Sequence, residues 1–330
     1  MKIAVVGSGK LGQRHLDKWQ KIEGVTVVGL VARNSEKLNK VAEKYGVQPF
    51  TSLEELLTAT DVQVIDVCTP TDTHVELVKK AANAKKHVIC EKPLALTSAE
   101  AIEMINVCKE NNVQLLVGHT LRFFPEYANA REQVKNGLIG NPGVIRLIRG
   151  VPYPSERTWY ADESRSGGLF LDLGTHEFDW LCWTFGGVKR VMAKKVKHSS
   201  EEAGNMEYGF ATLKMNDGTI AYVELSWAEP KFQASFELTG DKGMITYDYD
   251  QSFPLTVKLR SPNTESAPIP KSMMHKDPYE RQFEHFVQCI QGNEDPVVTA
   301  EDALMAIQVA EAAVKSAQTG QPVTLSEGGK

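Results

Sequence analysis

Two short stretches of this sequence carry side chains that can move a proton or steady a developing charge. In Glu91-Lys92-Pro93-Leu94 the proline keeps the preceding lysine out of the helical region, so the chain pauses there. An ammonium held at such a point polarises a carbonyl or lowers the pKa of a hydroxyl. In Gly168-Leu169-Phe170-Leu171-Asp172-Leu173-Gly174-Thr175-His176 a strongly apolar segment holds one carboxylate and one imidazole four residues apart. A helix over residues 174–185 would leave Asp172 just before its start and His176 in its first turn, both facing one cleft. Imidazole is the side chain best suited to proton exchange near neutral pH. Each has a plainer reading when taken alone: Lys92 as a solvated loop charge, Asp172 as a helix cap, His176 as a core histidine.

A third stretch supplies a partner for that chemistry. Gly7-Ser8-Gly9-Lys10-Leu11-Gly12 follows the apolar run Ile3-Ala4-Val5-Val6 and opens a helix expected over Lys10 to Gln20. That is the strand–turn–helix setting of a dinucleotide-binding turn. Gly7 permits the tight turn, Gly9 lets the backbone approach a pyrophosphate, and Gly12 lets the helix pack on the strand. The N–H groups at the helix start then meet the phosphates. An acidic residue at the end of the second strand would accept from the 2′-hydroxyl of NAD, but Arg33 and Asn34 stand there. Arg33 lies 21 residues beyond Gly12, and a guanidinium suits a 2′-phosphate. NADP is therefore favoured over NAD, with NAD still possible. Cys68-Thr69-Pro70 and Glu91-Lys92 end two further strands, at the edge where a parallel sheet binds ligands. Thr69 and Pro70 are expected along the nicotinamide riboside, with His74 opening the next helix. No metal is expected, because the eight histidines show no ligand-cluster spacing.

These residues need a frame. Up to about residue 120, apolar runs at 3–6, 25–31, 62–68, 87–90 and 114–117 alternate with helical patterns. Ser52 with Glu55, and Thr97 with Glu100, form capping-box patterns. Continuous Val/Ile/Leu strands separated by helices imply a parallel sheet covered on both faces. Beyond residue 121 the runs at 143–150, 188–196, 207–215, 219–228, 232–239 and 243–247 read as strands without intervening helices, turned at Asn216-Asp217-Gly218 and Asp241-Lys242-Gly243. Two amphipathic helices follow, the first with Tyr279, Phe283, Phe286, Val287 and Ile290 on one face. The expected fold class is α/β. A Rossmann-type dinucleotide-binding domain spans 1–120, and an α+β domain with a large, mostly antiparallel open sheet spans 121–330.

Bulk properties exclude several functions. A formal net charge of −5 leaves no basic surplus for nucleic acid. The five cysteines are odd in number, widely spaced and free of Cys-x-x-Cys pairs. They read as reduced thiols of a cytoplasmic protein, not as a disulfide or zinc framework. The opening residues already read as a strand, so no signal peptide is expected. No apolar stretch approaches the ~18 residues that span a bilayer, so no membrane role is expected.

The ordered set Gly7-x-Gly9-x-x-Gly12, Cys68-Thr69-Pro70, Glu91-Lys92-Pro93, Gly118-x-x-x-Arg122-Phe123-x-Pro125, Asp172-x-x-x-His176 and Gly320-Gln321-Pro322-Val323 resembles the glucose–fructose oxidoreductase/inositol dehydrogenase (Gfo/Idh/MocA) family over nearly the whole chain. The resemblance implies an NAD(P)-dependent oxidoreductase acting on a secondary carbinol of a sugar, polyol or inositol. It implies Lys92 as the catalytic lysine and Asp172 with His176 as the second catalytic pair. It also implies a homodimer or homotetramer assembled through the C-terminal sheet, and relatives often have a strained or cis peptide near Lys92-Pro93. Arg33 departs from the acidic residue of the NAD-specific branch. Arg122, lining both cofactor and substrate, Arg157 or Arg165, for an anionic group, and Trp159 and Tyr160, for a sugar face, complete the expected pocket. His176 or Lys92 exchanges the proton, and Asp172 orients the hydroxyl or the lysine. Two other readings are a glycosidase that uses retained NAD for transient redox, and a non-catalytic nucleotide-binding regulator.

Overall fold

A computed structural model of the chain describes residues 1–154, 158–200, 204–251, 255–259, 267–269 and 276–325. The chain forms two units, Met1–Thr120 with Lys276–Leu304, and Leu121–His275 with Met305–Lys330.

The first unit is built on six strands: β1 (Lys2–Val6), β2 (Thr26–Val31), β3 (Pro49–Phe50), β4 (Val64–Val67), β5 (His87–Cys90) and β6 (Leu115–Val117). They lie in the order β3-β2-β1-β4-β5-β6, and every pairing is parallel. Helices α1 (Lys10–Trp19), α2 (Ser35–Tyr45), α3 (Leu53–Ala59), α4 (His74–Asn83) and α5 (Ser98–Glu110) connect them. Ser52 caps α3, and Thr97 with Glu100 forms a complete capping box on α5, so the start of each helix is fixed by its own side chains. The strand order reverses between β1 and β4, which opens a crevice at their C-terminal ends. β3, a two-residue strand, has no signature among the apolar runs.

The helix Pro278–Ile290 also belongs to this unit. The sequence reading ran the second domain through to residue 330. The apolar face of this helix explains the difference: Phe283, Phe286, Val287 and Cys289 share one core with Ile3, Leu16 and Trp19. The Phe283 ring stacks on Trp19 at 4.2 Å. Burying each large side chain contributes about 1.5–3 kcal/mol, so the chain returns late to complete a core begun at its start.

The second unit carries a nine-stranded sheet. Its strands are β7 (Pro142–Gly150), β8 (Val188–Ser200), β9 (Gly204–Met215), β10 (Ile220–Trp227), β11 (Gln233–Gly240), β12 (Gly243–Asp248), β13 (Leu255–Leu259), β14 (Ala267–Ile269) and β15 (Val323–Thr324). Their order is β14-β13-β12-β11-β7-β10-β9-β8-β15. Only β7 with β10 is parallel among the described pairings; the rest are antiparallel. Alternating burial along β10, β11 and β12 turns one face inward. That face packs on α6 (Pro125–Lys135) and α10 (Thr175–Phe185), with the Tyr127, Trp180, Phe236 and Tyr247 rings in mutual contact. Short helices α7 (Thr158–Ala161), α8 (Glu163–Ser166) and α9 (Gly168–Asp172) lie between β7 and α10 in sequence. Among the described residues, no helix is long and apolar enough to cross a membrane.

Candidate active site

The first unit gathers one group of expected residues at the C-terminal edge of its sheet. The glycine turn follows β1, Cys68-Thr69-Pro70 follows β4, and Glu91-Lys92 follows β5. Gly7 adopts φ +123°, and a Cβ there would lie 2.5 Å from the Cys68 carbonyl oxygen, so only glycine fits. A Cβ on Gly12 would drive into the Gly7 carbonyl. Gly9 differs: a Cβ there meets no protein atom within 4 Å. It caps α1 with no side-chain hydrogen bond, and the first turn of that helix holds no acidic residue. Open space over Gly9, at the start of α1, fits a pyrophosphate. Gly9→Ala should therefore change stability by less than about 1 kcal/mol while weakening dinucleotide binding. Gly12→Ala should destabilise by about 1–3 kcal/mol through overpacking. Urea unfolding and fluorescence titration with NADPH separate the two effects.

Three expected cofactor residues turn out to do structural work. Asn34 caps α2, its side chain accepting from the Lys37 backbone N–H at 2.9 Å. His74 is buried, with Nδ1 3.0 Å from the Pro93 carbonyl and Nε2 3.0 Å from the Thr69 carbonyl. Burial pushes its pKa down. Its ring thus ties the loop after β5 to the loop after β4 from behind. Glu91 is also turned inward: Oε1 lies 3.1 Å from His15 Nε2, and Oε2 accepts from the Lys92 backbone N–H at 3.2 Å. Gly118 makes room for this carboxylate, since a Cβ there would come 2.6 Å from Glu91 Oε1. Arg33 is exposed just past β2, and Ser8 is buried; Lys10 is exposed and Leu11 half-buried. Lys92 is half-buried, and its peptide bond to Pro93 is cis.

The second unit holds the rest. Asp172 ends α9, Gly174 caps α10, and His176 sits in the first turn of α10, half-buried. A Cβ on Gly174 would strike the Phe170 carbonyl, so glycine is what lets α10 start directly after α9. Two buried ion pairs fix α10 just after His176. Arg149 from β7 reaches both oxygens of Glu177 at 2.7 Å. Arg122 holds Asp179 through Nε at 2.9 Å and Nη2 at 2.6 Å. Trp180 Nε1 donates to the Tyr127 carbonyl at 3.1 Å. Arg122 was expected to line a ligand pocket; it is 3 % exposed, and the planar fork that suits a carboxylate is spent on Asp179. The Trp159 and Tyr160 rings lie against each other at 3.6 Å on α7, both half-buried. Arg157 lies outside the described residues.

Sequence reasoning passed over His15 and Asp66, which pair at 2.8 Å with both side chains fully buried. Their signals were present. His15 shares the buried stripe Gly12-His15-Leu16-Trp19 of α1, and Asp66 interrupts a wholly buried strand, Val64–Val67. A polar side chain in either place needs a partner.

Comparison with known proteins accounts for this arrangement. Residues 1–119 match the model of an oxidoreductase family with an NAD-binding Rossmann fold. Residues 131–325 match the companion model of the family's C-terminal alpha/beta domain. The chain is 30% identical over 334 residues to myo-inositol 2-dehydrogenase of Thermotoga maritima, covering 99% of each chain. It is 28% identical to 1,5-anhydro-D-fructose reductase of Ensifer adhaerens, covering 98% of each. A solved structure of GenD2 from gentamicin A biosynthesis, in complex with NAD, superposes with a TM-score of 0.87 at 25% identity, covering 99% of this chain and 96% of that one. With both family models matched in order and the glycine turn, Glu91-Lys92-Pro93 and Asp172-x-x-x-His176 in place, the chain belongs to the Gfo/Idh/MocA oxidoreductase family.

Proposed function

We propose that this oxidoreductase moves a hydride between a nicotinamide dinucleotide and a secondary alcohol or ketone of a sugar, polyol or inositol. The observation that carries the reading is that the glycine turn after β1 and Lys92 after β5 share one sheet edge. The names of the relatives support the substrate class. The dinucleotide, when bound, supplies or accepts the hydride. Lys92 hydrogen-bonds the substrate oxygen and stabilises the alkoxide that forms there. His176 and Lys92 are the two candidates to exchange its proton with solvent, and Asp172 orients the hydroxyl or the lysine. Trp159 and Tyr160 offer ring faces to a sugar. Arg122, through Asp179 on α10, and His74, through the Pro93 carbonyl, are positioning residues. A panel of inositols, polyols and keto-sugars, followed by nicotinamide absorbance with both cofactors, tests the reading. Turnover with a member of that panel supports it. Loss of a glycosidic bond without net cofactor change would favour a glycosidase, and binding without any reaction a regulator.

NADP is the preferred cofactor in this reading, because Arg33 stands exposed where the 2′-phosphate would lie. Arg33→Asp should raise the NADPH dissociation constant by about tenfold or more, the loss of a charge-assisted contact worth about 1.5–3 kcal/mol. NADH affinity should fall far less. Equal losses for both cofactors in a titration would remove Arg33 from this role.

The second sheet also suggests an assembly. Val196, Tyr208, Phe210, Ile220 and Tyr222 are exposed on neighbouring strands β8, β9 and β10, with the Phe210 and Tyr222 rings 5.5 Å apart. An exposed apolar row of this kind marks an association surface, and we assign it to a homodimer or homotetramer. Light scattering should give a multiple of the chain mass, reduced by Phe210→Lys. The five cysteines are free, four of them buried, which suits a reducing cytoplasm.

A further inference from the structure

Beneath the Glu91-Lys92 loop, inside the first unit, lies a closed array of buried ionisable groups that the proposed reaction does not use. His15 from α1 stands between Asp66 of β4, 2.8 Å from Nδ1, and Glu91 after β5, 3.1 Å from Nε2. Trp19 Nε1 donates to the same Asp66 oxygen at 2.6 Å. Cys68 Sγ lies 3.1 Å from His15 Nδ1. The Phe283 and Tyr279 rings meet the imidazole edge-on at 4.8 and 6.3 Å. His15, Asp66 and Cys68 also make a possible metal-ligand set. Their spacing argues against one: tetrahedral arms of about 2.0–2.3 Å set ligand atoms about 3.3 Å or more apart, whereas these lie at hydrogen-bonding distances.

Counting donors favours a charged ring. Ionised carboxylates only accept hydrogen bonds, and a neutral imidazole has one N–H to give. His15 has a carboxylate oxygen at each nitrogen, so satisfying both requires an N–H at each. Burial alone would disfavour that cation, but Asp66 and Cys68 together outweigh it and hold the His15 pKa well above its ordinary value. Glu91 is then fixed from both sides, accepting from His15 on one oxygen and from the Lys92 main chain on the other.

We propose that His15 is a permanent imidazolium that locks Glu91 and thereby sets the main chain of Lys92. It is a positioning residue acting through Glu91, and its effect on turnover rests on the role given to Lys92 above. Glutamine at either place breaks the chain of bonds. His15→Gln cannot donate to carboxylates on two opposite sides. Glu91→Gln keeps one acceptor oxygen where two are needed.

Nitrogen-15 NMR of the histidine rings in the intact protein, assigned by comparison with His15→Gln, tests the charge directly. Both His15 nitrogens should stay protonated from about pH 6 to pH 9, across the range where ordinary histidines lose their charge. A neutral tautomer within that range, with the shared proton on Glu91, overturns the proposal. His15→Gln and Glu91→Gln should each lower kcat by about 10–100-fold through misplacement of Lys92, with the NADPH dissociation constant within about threefold. Wild-type kcat, or equal losses of kcat and dinucleotide affinity, also overturns it. If a variant does not fold, the NMR result on the unsubstituted protein decides. Should Lys92→Ala prove fully active, the role of Lys92 fails by itself. Hydrogen exchange at the Lys92 amide, faster in Glu91→Gln if the lock is real and unchanged if it is not, still judges the positioning claim.

Discussion

Lys92→Ala should lower turnover of a polyol or keto-sugar by about 10²–10⁴-fold, the range of a positioned acid–base group. The NADPH dissociation constant should stay within about threefold. The two effects separate in this account because the proposed pyrophosphate site is the backbone around Gly9, not this side chain. The loop that carries Lys92 is heavily constrained. Its backbone N–H is held by Glu91, and the following carbonyls of Pro93 and Leu94 face the His74 ring. Such fixation suits an ammonium that must meet one oxygen. Lys92→Arg should fail almost as badly, since a planar fork does not replace a compact charge on a flexible stem. Steady-state kinetics with a cofactor titration measures both quantities, and turnover within about threefold of the parent would remove Lys92 from the reaction.

Asp179→Ala should destabilise the second unit by about 3–5 kcal/mol, because it strands a buried guanidinium. Side-chain exposures of 1 % for Arg122 and 0 % for Asp179 place this pair among fully desolvated ones. The Arg122 guanidinium also lies 5.0 Å from the Trp183 ring centroid, and Arg131 lies over the same ring at 4.0 Å. Removing both charges together, as Arg122→Met with Asp179→Leu, should restore much of the loss, since an apolar pair of similar volume often replaces a buried ion pair. Trp180 and Trp183 make urea unfolding of this helix visible by fluorescence. A loss below about 1 kcal/mol in the single variant would contradict the assignment. The double variant should keep its fold yet turn over slowly, because α10 also carries His176.

What the sequence disclosed follows from how local each signal was. The central strands of the first sheet are buried on both faces, so Val64–Val67 and His87–Cys90 read directly as apolar runs. The glycine turn and the two capping patterns are likewise contained within a few residues. The hairpin at Asn216-Asp217-Gly218 joins β9 and β10 as expected. Pro49–Phe50 has no periodicity to detect; it is a strand only because β2 lies beside it. The helix Pro278–Ile290 showed its apolar face but not its destination, which α1 supplies from more than 250 residues away. Separations of 57 and 76 residues from their partners likewise hid the work of Arg122 and Glu91. A motif marks such residues as special, yet whether a side chain faces a ligand or another side chain depends on partners such as Asp179 and His15. Asp66 within an apolar strand and His15 on an apolar helix stripe were local warnings of a buried network, and they pointed to partners without naming them.

Isotope transfer reaches the central claim most directly. A polyol deuterated at its reacting carbinol carbon is incubated with the enzyme and NADP, and the cofactor is recovered and analysed by mass spectrometry and NMR. The account predicts one deuterium delivered to C4 of the nicotinamide per ketone formed. Ketone formed with the label lost to solvent, or label returned to the same sugar carbon with no net reduction of the cofactor, would contradict it.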